Sequence, residues 1–233
     1  MKTSNQNAQQ CLDSLFSRYP VLESCEANIV SAYLLLYNTY KQGGKLLLAG
    51  NGGSAADAEH IVGELMKSFL FPRPILAEDA EMLTALFGKE GERLSGQLEG
   101  CLPAIPLTSM LALSTAFLND VDPLVVFAQL VYGYGCRGDV FLGISTSGNS
   151  QNILNAAMVA RAKNMPIIGL TGRDGGKLAH LCDAAICVPE EETFKIQELH
   201  LPIYHTLCAM LEADFFGSII SLPPRRWFEG EAE

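Results

Sequence analysis

The sequence predicts an α/β fold: a three-layer sandwich with a central parallel sheet flanked by helices and an N-terminal helical extension. Three observations carry this. The runs 46–49, 139–144, 166–170 and 184–188 are of strand length and nearly continuously apolar, as strands covered on both faces are. The first three end in Gly- or Ser-rich turns that lead into helical segments, the rhythm of a parallel sheet. At 233 residues, 48% apolar and 18% charged, the chain can bury one full α/β core.

The elements follow in order. Residues 4–41 are helical: Leu12, Leu15 and Phe16, then Ile29, Ala32, Tyr33, Leu36, Tyr37 and Tyr40, recur at helical spacing. Pro20 splits them into two helices, because it lacks an N–H and restricts Tyr19. The second is rich in apolar residues, so it lies deep in its own core or faces another subunit. Gly43-Gly44 ends it. The strand 46–49 runs into Gly50-Asn51-Gly52-Gly53, which permits φ > 0, and a helix from Ser54 to about Leu70. Ser54 reads as its N-cap, with Asp57 three residues on completing a capping box. After the Phe71-Pro72-Arg73-Pro74 loop, 77–89 is helical and 90–100 is polar, with room for a short helix. Pro103 and Pro106 frame an edge segment. Helices over 109–118 and from Asp122-Pro123 to Tyr134 precede the strand 139–144. The turn 145–150 and a helix over 152–164 follow. The strand 166–170, the turn 171–176, a short helix 177–181, the strand 184–188 and a helix over 194–216 complete the series. The tail beyond Pro223, with Arg225, Arg226 and Trp227, is expected to be loosely ordered. No composition shift marks a boundary, so 1–233 reads as one domain.

Composition excludes some functions. The net charge of −10, without Lys/Arg clusters, argues against a nucleic-acid surface. No apolar run reaches the length of a membrane span. The seven cysteines are scattered, form no CxxC and follow no signal peptide, so they read as reduced thiols of a cytoplasmic protein.

Ligands of parallel sheets bind at the carboxyl ends of strands, and two turns there have the chemistry of anion sites. Gly50 to Ser54 opens a helix whose free N–H groups and positive dipole end suit a phosphate. Ser145-Thr146-Ser147-Gly148-Asn149-Ser150 offers four hydroxyls and backbone N–H groups, or simply caps a helix. One turn beyond the glycines, His60 and Glu64 share a helix face, as a site pair or as a solvated pair. In the last helix, Gln197 and His205 lie about 80° apart, nearly on one side. His200 is near that side and is a rival, although a packed histidine explains it as well. Pro202 should kink this helix. His180 has no evident role.

The segments GNGGSAADAEH, LGISTSGNS, GLTGRDGG and KIQELH, in this order, closely resemble the sugar isomerase (SIS) domain, whose sheet is flavodoxin-like, and within it the phosphoheptose isomerases. The resemblance covers roughly residues 30–216 apart from one segment. It implies a divalent metal, commonly zinc, on His60, Glu64, Gln197 and His205, one ion per subunit. It places substrate contacts on Asn51, Gly52, Gly53, Glu64, Asn119, Asp120, Ser145, Thr146, Ser147, Ser150 and Gln197, with Ser54 expected in the phosphate shell. It implies a phosphosugar substrate and a homotetramer with the N-terminal helices bundled at its centre.

The implied reaction moves a proton between C1 and C2 of a sugar phosphate, here sedoheptulose 7-phosphate and D-glycero-D-manno-heptose 7-phosphate, through an enediol. By resemblance Glu64 is the base and His205 the partner acid/base. Whether Glu64 is ligand and base together stays open. The chain departs from the family pattern over about 75–105, an inserted segment that either caps the site and changes the sugar or thickens an oligomer interface. The alternatives are a different ketose phosphate, or a non-catalytic SIS module that binds a phosphosugar or a protein. The four metal-site residue types favour the enzyme.

Overall fold

The structure is a computed structural model that describes residues 4–217. The tail with Arg225, Arg226 and Trp227 lies outside the described residues. The elements run α1 (Ser4–Arg18), a 3-10 turn (Pro20–Cys25), α2 (Glu26–Lys41), β1 (Leu46–Ala49), α3 (Gly53–Met66), α4 (Ala77–Phe87), α5 (Lys89–Ser95) and β2 (Ala104–Pro106). Then come α6 (Leu111–Asp120), α7 (Val126–Tyr134), β3 (Val140–Ile144), α8 (Gln151–Ala162), β4 (Ile167–Thr171), α9 (Gly176–Ala179), β5 (Ala184–Cys187) and α10 (Thr193–Phe216), with 3-10 turns at Leu107–Ser109 and Pro123–Val125.

All five strands are parallel, in the order β2-β1-β3-β4-β5. The chain leaves β1 toward β2 on one side and returns to β3 on the other, so the order switches between β1 and β3. That switch point is where open α/β sheets bind ligands. β2 is the edge that Pro103 and Pro106 foretold, since Pro106 can sit only where an N–H is not needed.

Period-two alternation divides the core. Leu46, Leu48, Val140, Leu142, Ile168 and Leu170 face α1, α2, α3 and α10. Leu47, Ala49, Phe141 and Ile167 face α7, α8 and α9. The three-layer sandwich is therefore as expected. Of the two options for α2, its own core takes Ile29, Ala32, Tyr33, Leu36 and Tyr40, and Leu34 is its exposed leucine. Asp139 pins β3 beside β1, accepting from Lys45 N, Lys45 Nζ and Cys136 N.

Two local expectations are corrected. Ser54 is not the N-cap of α3. Gly52 is, at φ +55, a backbone that only glycine adopts without strain, and Ser54 is buried inside the first turn. Asp57 is accordingly no capping-box partner; it accepts from Tyr204 Oη at 3.2 Å.

Helix α3 also stops at Met66, short of Leu70, because side chains take over its next bonds. The carbonyls of Glu64 and Leu65, which a continuing helix would offer to the N–H groups four residues on, accept from Arg73 Nη2 and Nη1 at 3.0 and 2.9 Å. Ser68 N donates instead to Glu99, and Phe69 N and Leu70 N donate to Glu212. Arg73 Nε closes the set on Glu212 at 2.6 Å, with both side chains wholly buried. Helix α10 runs unbroken through Pro202. The missing N–H orphans only the carbonyl of Glu198, which stands at an exposed residue.

Candidate active site

Three side chains from two helices converge. His60 and Glu64, one turn apart on α3, place Nε2 and Oε1 3.2 Å apart. His205 of α10 brings its Nε2 to 3.3 Å from His60 Nε2. One candidate ligand atom from each lies within 4.8 Å of the others. Glu64 Oε2 is buried with no hydrogen-bond partner. A buried carboxylate oxygen left unpaired is costly, and two imidazoles with a carboxylate are an ordinary donor set for zinc. These residues therefore fit a divalent cation.

Burial and neighbouring charge bias His205. Burial holds the pKa of His205 below the usual value, and the nearby His60 lowers it further against the opposing pull of Glu64. Asp57 is pushed up by burial, against the hydrogen bond from Tyr204 and the charge of His60. Phe69, seated by Glu212, lies against the His205 ring at 5.6 Å.

The two turns meet at the switch point. Asn51 and Asn152 exchange two amide hydrogen bonds, at 3.0 and 2.8 Å, linking the end of β1 to the start of α8. Ser145 Oγ and Ser150 Oγ pair at 3.0 Å, while Ser147 Oγ accepts from Asn149 N. Thr146 is half-buried and Ser147 exposed. Gly148 sits at φ +62, and a Cβ there would lie 2.0 Å from the carbonyl oxygen of Gly175, so the turn after β3 packs backbone to backbone on the turn after β4. Gln197 lays its amide over Gly53: a Cβ at Gly53 would meet Gln197 Nε2 at 2.5 Å.

The expected site residues thus fall into groups. His60, Glu64 and His205 come together, and Gln197 stands beside Gly53 at the start of the same helix. Asn51 reaches toward the turn at 145–150 through Asn152. Asn119 and Asp120, where the expected helix was to have ended, form the exposed last turn of α6 and bond to each other. Among the described residues they share no hydrogen bond with the trio or the two turns. His200 is the packed histidine: it is wholly buried and its Nε2 bonds Thr171 O at 3.2 Å. His180 is exposed.

Sequence reasoning missed Asn152, Tyr204 and Arg73. The side-chain partners of the last two lie more than a hundred residues away, at Asp57, His60 and Glu212, so no local spacing announces them. A cleft of ≈ 840 Å³ between α1, the 69–71 loop and α10 reaches His205 from its far side, and none of the turn residues lines it.

Two SIS domain models match the chain, over residues 16–100 and 120–213. Phosphoheptose isomerase 2 of Campylobacter jejuni is 41% identical over 207 residues, 88% of this chain and 90% of that protein. A phosphoheptose isomerase of Aneurinibacillus thermoaerophilus is 42% identical over 76% of each. In structure, the phosphoheptose isomerase of Neisseria gonorrhoeae matches with a TM-score of 0.67 at 32% identity, over 90% of this chain and 98% of that one. The enzyme of Francisella tularensis gives 0.68 at 29% identity, over 91% and 98%. Identity of this level, carried across nearly the whole of both chains, makes this chain a member of the SIS-domain phosphoheptose isomerase family.

Proposed function

We propose that this chain interconverts sedoheptulose 7-phosphate and D-glycero-D-manno-heptose 7-phosphate. The convergence of His60, Glu64 and His205 carries the reading: the trio stands on the two helices that start beside the switch point of a phosphoheptose isomerase fold. The phosphate is received by the N–H groups of Gly52 and Gly53 and by Ser54, Ser145, Thr146, Ser147 and Ser150 at the strand ends. Binding energy there positions carbons that react elsewhere. Asn119 and Asp120 complete the sugar contacts with Gln197.

Glu64 takes a proton from one of C1 and C2 and returns it to the other, by way of an enediol. The trio is only partly shielded from water, so the proton held on the carboxylate can exchange with solvent during the transfer. His205, neutral and with a lowered pKa, exchanges a proton with the oxygen at the reacting carbon. His60, Glu64, Gln197 and His205 would hold a divalent ion, read as zinc. Such an ion supplies Lewis-acid polarisation of the sugar's carbonyl and hydroxyl oxygens.

The exposed Met82, Leu86 and Phe87 of α4, within the segment read as an insert at 75–105, support a homo-oligomer, read as a tetramer. Free thiols at all seven cysteines, and the lack among the described residues of any helix long and apolar enough to cross a membrane, support a cytoplasmic enzyme.

The test is aldose formation from sedoheptulose 7-phosphate in deuterated water, followed by NMR with zinc and with chelator. His60→Ala, Glu64→Gln and His205→Ala run alongside. Turnover with deuterium at C2, lost in all three variants, is expected. Full activity in Glu64→Gln would sink the assignment of the base.

A further inference from the structure

Tyr204 stands behind His60. Its hydroxyl lies 3.1 Å from His60 Nδ1 and 3.2 Å from Asp57 Oδ1, and the residue is 2% exposed. A phenol has one proton to give and lone pairs to accept with. The carboxylate of Asp57 is the stronger acceptor, so the Tyr204 proton goes there. The phenolic oxygen is then left to accept, and the His60 Nδ1–H is the donor facing it. With its proton on Nδ1, His60 turns a bare Nε2 toward Glu64 and His205.

We propose that Asp57 and Tyr204 are positioning residues that set the tautomer and ring angle of His60, so that its Nε2 lone pair is ready to ligate a divalent cation. The inference rests on the metal reading given above. Without the Asp57–Tyr204 pair, His60 is free to carry its proton on Nε2, where it would donate to the Glu64 carboxylate and tie up the lone pair that a cation needs. Partners behind a ligating histidine commonly make a 10–100-fold difference in metal affinity. The rings are packed independently of the hydroxyl: Tyr204 meets His60 edge-on at 5.5 Å and His205 at 5.0 Å. Tyr204→Phe therefore removes the hydrogen bonds and keeps the packing.

The experiment is a zinc titration of the chelator-stripped full chain against a chromophoric zinc chelator. Wild type, Tyr204→Phe, Asp57→Asn and His60→Ala are compared. Side-chain nitrogen NMR of the metal-free protein reports the His60 tautomer alongside. The expected result is a loss of zinc affinity of about 10–100-fold in Tyr204→Phe and in Asp57→Asn. The His60 proton should sit on Nδ1 in wild type and be shared between the nitrogens in Tyr204→Phe. Wild-type affinity in Tyr204→Phe, or an unchanged tautomer, overturns the inference and leaves the metal reading standing. A wild-type protein that takes no zinc overturns the metal reading and this inference with it.

Discussion

Arg73→Met tests whether the end of α3 is held by one buried charge. The guanidinium makes three bonds: Nε to Glu212 at 2.6 Å, Nη1 to Leu65 O at 2.9 Å and Nη2 to Glu64 O at 3.0 Å. Methionine fills much of the volume and makes none of them. The carboxylate of Glu212 then stays wholly buried, with two backbone N–H groups but no counter-charge. Removing one partner of a buried ion pair costs about 3–5 kcal/mol. In a domain of this size each kcal/mol lowers Tm by about 2–4 °C, so a drop on the order of 10 °C is expected in a thermal melt. Urea titration should give the same loss in stability. In Arg73→Met/Glu212→Leu the loss should be smaller than in Arg73→Met alone, since the stranded charge is gone. A single variant that loses less than about 1 kcal/mol, as exposed ion pairs do, would refute the reasoning.

Two further outcomes follow from other parts of the fold. Burial lowers the His200 pKa to about 4, against the bond to Thr171 O. The unfolded chain protonates this histidine near pH 6.5 and the folded chain does not until about pH 4, so stability falls as pH drops through that window. At 1.36 kcal/mol per pH unit the loss is about 3 kcal/mol by pH 4, and urea midpoints of His200→Leu should lack that part of the pH dependence. Gly148→Ala forces a side chain into φ +62 and onto the carbonyl oxygen of Gly175, so the turn must shift. Steady-state kinetics should show KM for the sugar phosphate raised by about tenfold or more, because a loss of 1.4 kcal/mol in phosphate binding is enough for that.

What could be read in the sequence was what is encoded locally. Four strands announced themselves by apolar runs, and β2 by its flanking prolines, because burial on both faces and a missing N–H act residue by residue. His60 and Glu64 were visible as an i, i+4 pair. Ser54 misled because a serine before a helix resembles a cap, whereas the backbone had already turned at Gly52. The length of α3 misled for the opposite reason: its apolar pattern continues through Leu70, and only Arg73, Glu99 and Glu212, brought from elsewhere, take its bonds away. His205 could be assigned to the site only through the family resemblance, since nothing in the spacing of α10 says which helix lies beside it.

The missing rule is a register between two helices. Gln197 meets Gly53, His205 meets His60, and Glu212 meets Phe69. These contacts recur at seven to nine residues along α10 and along α3 with the loop that follows it, in the same direction. Helices α3 and α10 therefore run parallel, and successive contacts two turns apart fall on one seam. Both helices follow a strand, so both begin at the carboxyl edge of the sheet, and their dipoles add at the end where the two turns lie. From Gly53 to His60 the seam descends about 10 Å at 1.5 Å per residue. The parallel register thus puts the start of the seam at the two turns and the trio about two turns further along it. A sugar phosphate anchored at the helix starts would run along this seam toward Glu64 and His205.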